Sequence, residues 1–113
     1  MSDVTPTTAV LELAKLSRQL DEAGYRIKDA ERKAVNARHT YTVESQKAFL
    51  KAEGSIQARQ AQATVETAEL RLSAELAEAE LRILRNDIRV LESRLDVGRS
   101  VVGVLRAEAQ VAR

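Results

Sequence analysis

Three arginines have the spacing of a phosphate-binding helix face. Arg82, Arg85 and Arg89 are separated by three and four residues, so an α-helix presents them on one side. Guanidinium groups recognise phosphates and carboxylates through paired hydrogen bonds, and a row of them can follow a nucleic-acid backbone. The spacing therefore indicates a candidate DNA- or phosphate-binding surface. Further arginines that would extend it are Arg94, Arg99 and Arg106.

Charges elsewhere in the chain are segregated in blocks that fit helix pairing. Residues 26–51 carry seven Lys or Arg against three acidic residues, whereas residues 66–80 carry five Glu against Arg71 alone. In a hairpin the acidic stretch lies opposite the basic end of the first arm, where ion pairs fix register but contribute little energy. No aromatic residues are interleaved for stacking on bases, so sequence-specific readout is not indicated.

Residues for catalysis are missing from the sequence. His39 is the one histidine and there is no cysteine, so neither a histidine pair nor a thiolate can hold a metal. Glu75, Glu78 and Glu80 lack the Glu-x-x-His partners of a di-iron bundle. There is no Gly-rich phosphate loop and no G-x-S-x-G. We therefore predict a protein that is not an enzyme and has no metal or cofactor.

Long helices must position these charges. Apolar or small residues alternate in steps of three and four through the second half of the chain, which predicts a helix over about 56–112 with one buried seam. Its seam residues are Ile56, Ala63, Thr67, Leu70, Ala74, Ala77, Leu81, Leu84, Ile88, Leu91, Leu95, Gly98, Val102, Leu105, Ala109 and Ala112.

A first helix is predicted over about 8–53, after a flexible tail at residues 1–7. Thr5 can cap it with Pro6 at the first helical position, and Thr7 or Thr8 can cap it instead. The seam breaks after Tyr41, and a shift by four residues restores it, which is a stutter. Its members are Leu13, Leu16, Leu20, Ala23, Ile27, Ala30, Ala34, Ala37, Tyr41, Ser45, Phe49 and Ala52.

Gly54-Ser55 separates the two helices. Glycine can end a helix in a left-handed conformation and serine can cap the next one, so we predict a tight turn; one continuous rod is the alternative. Gly98 and Gly103 indicate either a close helix crossing or a kink, after which Ser100 would start a short third helix.

A second apolar line recurs every seven residues at Leu76, Ile83, Val90, Val97 and Val104. Two lines make an apolar face wider than a two-stranded coiled coil needs, which favours a bundle of several chains. We therefore predict an all-α fold, a long antiparallel helical hairpin or coiled coil that assembles into an oligomeric bundle. The predicted oligomer interface comprises Leu76, Ile83, Leu84, Ile88, Val90, Leu91, Leu95, Val97, Val101, Val102, Val104 and Leu105.

Composition agrees with this fold class. Aromatic residues make up 3% of the 113 residues and proline occurs once, which is typical of long helices. We expect one domain, the hairpin over 8–113. No apolar run reaches membrane-spanning length and no signal peptide precedes the first helix, so the sequence predicts a cytoplasmic protein without a membrane partner.

Three stretches resemble a class of small helical proteins of bacteriophages and prophages. They are Lys51-Ala-Glu-Gly-Ser-Ile-Gln-Ala-Arg59, Arg94-Leu-Asp-Val-Gly-Arg-Ser100 and Leu105-Arg-Ala-Glu108. The resemblance covers roughly residues 45–110, and genes of this class often lie near phage recombination and replication genes. It implies a phage-encoded protein of the host cytoplasm, accessory to those processes, and it carries over no catalytic residue.

The leading hypothesis is therefore a non-enzymatic oligomer that binds DNA without sequence preference in phage recombination or replication. One alternative is a helical interaction protein that binds a host or phage protein, for example as a nuclease inhibitor. Another is a structural or scaffolding coiled coil.

Overall fold

The computed structural model describes residues 5–112, and these form three helices without a strand among them. They are α1 (Pro6–Lys51), α2 (Ile56–Glu66) and α3 (Ala68–Val111). The predicted all-α helical hairpin is confirmed. Packing contacts group the described residues into a turn unit, Ile27–Ile83, and a terminal unit made of residues 5–26 and 84–112.

Helix α1 begins at Pro6, two residues before the predicted start, so Pro6 and Thr7 do not belong to a tail. Residues 1–4 of that predicted tail lie outside the described residues. The cap is Thr5, whose Oγ1 accepts from the Thr8 N–H at 3.1 Å, while the Thr5 N–H donates to Thr8 Oγ1 at 2.9 Å. This reciprocal pair satisfies two backbone donors, which is why Thr5 prevails over the alternative caps.

The turn forms where Gly54-Ser55 predicts it. Gly54 has φ +106°, a conformation that residues with a Cβ rarely adopt, and Ser55 Oγ accepts from the Ala58 N–H at 3.1 Å to cap α2. Helix α1 ends at Lys51, two residues earlier than predicted. Ala52 and Glu53 therefore belong to the turn, which gives the chain the length it needs to reverse direction.

The predicted helix over 56–112 is interrupted at Thr67, and this prediction was wrong. Thr67 has φ −108° and ψ 14°, outside the α-helical region, and it separates α2 from α3. Its hydroxyl donates to the Ala63 carbonyl oxygen at 2.7 Å, a bond known to bend helices. Because this side chain is buried, the hydrogen bond also supplies its hydroxyl with a partner.

The core of the turn unit consists of small residues. Its buried positions are Ala30, Ala34, Ala48, Ala52, Ala63, Thr67 and Ala74. Alanine lets helix backbones approach closely but buries little area, so each contact contributes little hydrophobic energy. The predicted stutter places Ser45, Phe49 and Ala52 on the seam, but the structure buries Ala48 together with Ala52 and leaves Ser45 and Phe49 half-buried.

The terminal unit holds larger buried side chains, namely Leu16, Ala23, Leu95 and Val102. Here α3 continues through Gly98 and Gly103, so the alternative of a kink and a third helix from Ser100 is wrong. A Cβ placed on Gly98 would lie 2.5 Å from Leu13 Cδ2, which confirms the predicted close crossing. Leu13 meets Gly98, and farther along α1 Arg26 lines a groove with Asp87, which precedes Gly98 on α3. The two segments of this unit therefore run antiparallel.

Candidate helix–helix interface on α3

One side of α3 is covered by its own chain. We define the inner seam of α3 as Leu70, Ala74, Ala77, Leu81, Leu84, Ile88, Leu91, Leu95, Gly98, Val102 and Leu105. Every member is buried or half-buried, whereas Ala109 and Ala112 are exposed. Six residues of the predicted oligomer interface lie on this seam and pack within the terminal unit. They are Leu84, Ile88, Leu91, Leu95, Val102 and Leu105.

The other predicted interface residues are exposed. Val97 keeps 62% of its surface in contact with solvent and Val90 keeps 41%. Also exposed are Leu76 and Ile83 in the turn unit, and Val101 and Val104 in the terminal unit. The chain's own first arm therefore covers one apolar line of α3 and leaves the other bare.

Between these exposed positions α3 carries small or polar residues, a feature that the sequence interpretation missed. Combined with the large residues they form a second seam with steps of three and four. We define this outer seam as Leu76, Ala79, Ile83, Asn86, Val90, Ser93, Val97, Ser100, Val104, Ala107 and Val111. The regular spacing of the outer seam was present in the sequence, but the apolar residues alone show only its seven-residue repeat.

The outer seam faces away from the inner seam. At about 100° per residue, the midlines of the two seams lie roughly 160° apart around the α3 axis. In the terminal unit the outer seam borders two shallow grooves, of about 330 and 430 Å³. Val97, Ser100, Val101 and Val104 line the first, and Val104, Ala107 and Val111 line the second. Such grooves between exposed valines can receive the side chains of another helix.

The candidate phosphate-binding arginines do not share one surface. Arg82, Arg85 and Arg89 are all exposed, on one flank of α3. Arg94 lies on the opposite flank, where it lines a groove of about 430 Å³ with Arg26 and Asp87.

Acidic residues lie close to some of these arginines. Arg99 Nη1 is 3.6 Å from Asp96 Oδ1. The positive charge of Arg82 acts on Glu78, where it helps to lower the carboxyl pKa. The extended set of six arginines is thus partly neutralised by neighbours on its own helix.

One ion pair joins the two arms of the turn unit. Arg38 donates from Nε to Glu78 Oε1 at 2.7 Å and from Nη2 to Glu78 Oε2 at 2.9 Å. This bidentate contact confirms, at one point, that the acidic stretch faces the basic end of the first arm. Hydrogen bonding to Arg38 lowers the pKa of Glu78 and raises that of Arg38, against a weaker opposing effect of desolvation.

Acid titration should reveal this pair. A lowered pKa in the folded state means that the unfolded chain binds more protons, so the pair stabilises the fold above the ordinary Glu pKa and loses this effect as pH falls through the lowered value. We expect thermal unfolding midpoints of Glu78→Gln to fall less steeply in that acidic range. Arg38→Gln should flatten the profile similarly, and unchanged profiles would contradict the assignment.

Residues 5–112 contain neither a metal-binding cluster nor a membrane-spanning helix. There is no cluster of three or more His, Asp or Glu side chains arranged to hold a metal ion within this range. None of the described helices is both long and apolar enough to span a membrane. Comparisons with protein-family models, with curated proteins and with solved structures give no match.

Proposed function

We propose that this chain is a non-enzymatic assembly module, a helical hairpin that associates with another copy through the outer seam of α3. The observation that carries the proposal is the exposure of valines every seven residues, with Val97 62% exposed. Apolar rows of this regularity mark protein interaction sites, because an uncovered row promotes nonspecific aggregation.

The pattern of the outer seam favours another helix as its partner. A three-and-four repeat of apolar and small residues is the surface that one helix presents to another in a coiled coil. The inner seam, which uses the same repeat, is already covered by a helix in the terminal unit. The outer seam of one copy can therefore pack against the outer seam of a second copy, which carries the same helix.

Light scattering tests this proposal directly. We expect the purified chain to have twice the 12.5 kDa mass of one copy, and to dissociate on dilution with helicity largely retained. Retained helicity follows because the inner seam packs within one chain. A mass of 12.5 kDa at all accessible concentrations would overturn the proposal.

Nucleic-acid binding is a second candidate, favoured by the exposure of Arg82, Arg85 and Arg89 along one flank. In a phage-encoded protein such binding would serve recombination or replication. Neutralising phosphates releases counterions, so affinity for any DNA sequence should fall steeply with added salt.

Fluorescence anisotropy with a labelled duplex and a labelled single strand, at two salt concentrations, tests this second candidate. The triple variant Arg82→Glu, Arg85→Glu, Arg89→Glu should lose binding while circular dichroism shows unchanged helicity. Absence of binding by the unaltered chain at low salt would exclude it. The same samples, measured by light scattering, show separately whether the assembly proposal holds.

A further inference from the structure

We propose that two copies pair antiparallel along the outer seam, with the two-fold axis between Val90 and Ser93. This inference rests on the proposed assembly function and specifies the orientation and register of its interface. It places Val90 of one copy opposite Ser93 of the other, and Asn86 opposite Val97. The orientation follows from side-chain size, and the register follows from charge.

Side-chain size favours the antiparallel orientation. In an antiparallel coiled coil each layer joins the two alternating seam positions, whereas a parallel one joins like with like. Large residues on the outer seam alternate with small or polar ones, so antiparallel layers set Val90 against Ser93 and Val104 against Ala79. Parallel layers would set serine against serine, which leaves voids that a close-packed interface does not tolerate.

Charges beside the seam select the register. In the proposed register Asp87 of one copy lies beside Arg94 of the other, and Arg89 lies beside Asp96. The two-fold axis repeats each pair, giving four contacts between opposite charges. All four side chains are exposed in the single chain and so are accessible to a second copy.

Alternative arrangements place like charges together. Sliding one copy by seven residues sets Arg89 against Arg89 and Asp87 against Asp87 in one direction, although it also pairs Glu80 with Arg94 and Arg82 with Asp96. In the other direction it sets Arg94 against Arg94 and Asp96 against Asp96. A parallel, in-register pair sets Arg89 beside Arg94, and Glu75 beside Glu80. Exposed ion pairs contribute little stability by themselves, but repulsion between like charges selects among otherwise similar arrangements.

The ion pair between Arg99 and Asp96 within one chain is compatible with the proposed contacts between copies. Arg99 Nη1 lies 3.6 Å from Asp96 Oδ1, and both side chains are more than half exposed. A carboxylate can accept from two guanidinium groups at once, so Asp96 can keep Arg99 while it accepts from Arg89 of the second copy.

Disulfide trapping tests the orientation, since the natural chain has no cysteine. The proposed register sets Ile83 opposite Ser100, so a mixture of Ile83→Cys and Ser100→Cys chains should form a cross-linked dimer on mild oxidation. Neither variant alone should cross-link, because each cysteine would lie about 25 Å along the axis from its counterpart. Val35→Cys mixed with Ser100→Cys is the control, since Val35 is exposed on α1.

Charge exchange tests the register independently. Arg89→Asp and Asp96→Arg should each weaken the dimer several-fold at low salt, and the double variant should recover the lost affinity. Self-cross-linking of Ser100→Cys alone, or a double variant weaker than either single one, would overturn the antiparallel inference but leave assembly intact. A chain that stays monomeric and forms no cross-link would overturn both.

Discussion

The Val97→Asp variant is expected to be monomeric at concentrations at which the unaltered chain is a dimer. In the proposed dimer Val97 lies in a seam layer opposite Asn86 of the second copy, so the variant would bury two carboxylates in each assembly with no cation opposite either of them. Leaving a charge unpaired in an apolar contact costs several kcal/mol, so we expect the dissociation constant to rise at least about 100-fold. Sedimentation equilibrium or light scattering over a dilution series measures it.

The matched control is Val35→Asp, which makes the same change on α1, where Val35 is 68% exposed and is not a member of the outer seam. This variant should dimerise like the unaltered chain. Both variants should keep the helicity of the starting protein, because neither position is covered within a single chain. Equal dissociation constants for the two variants would show that Val97 is not in the interface.

Leu95→Ala should cause the largest loss of folding stability. Leu95 is 8% exposed on the inner seam, and Leu16 and Val102 are the other buried residues of the terminal unit larger than alanine. Truncating a buried leucine to alanine costs about 2–5 kcal/mol, because transfer energy is lost and a cavity remains. With so few large residues in this core, little can collapse into the space, so we expect the loss to exceed about 2 kcal/mol.

Urea denaturation followed by circular dichroism measures this change, at one fixed protein concentration because association shifts apparent stability. Leu11→Ala is the control: Leu11 is exposed on α1, so its truncation should change the free energy of unfolding by less than about 0.5 kcal/mol. Comparable losses in both variants would mean that the inner seam does not hold the terminal unit together.

The two proposed activities share residues. Pairing through the outer seam engages Arg89 and Arg94, which also belong to the candidate phosphate-binding set. An assembled protein would therefore offer DNA only the remaining members of that set, Arg82, Arg85, Arg99 and Arg106. If both candidates hold, DNA affinity per chain should fall as the chain dimerises, which anisotropy at increasing protein concentration would show.

The sequence by itself determined the helices and the turn. A repeat of three and four residues can be satisfied only by a helix with one buried side, and the inner seam is buried or half-buried as far as Leu105. Gly54 and Ser55 predicted the turn because the backbone conformation and the cap are properties of those residues alone. Local chemistry was sufficient in both cases.

Tertiary structure alone decided which apolar line is covered and where the second helix is interrupted. Both lines of α3 look alike in sequence, and only packing within the chain shows that Leu95 is buried while Val97 is exposed. At this interruption the buried Thr67 hydroxyl donates to the Ala63 carbonyl oxygen. Sequence periodicity does not predict these outcomes, because a repeat specifies a face of the helix but not what packs against that face.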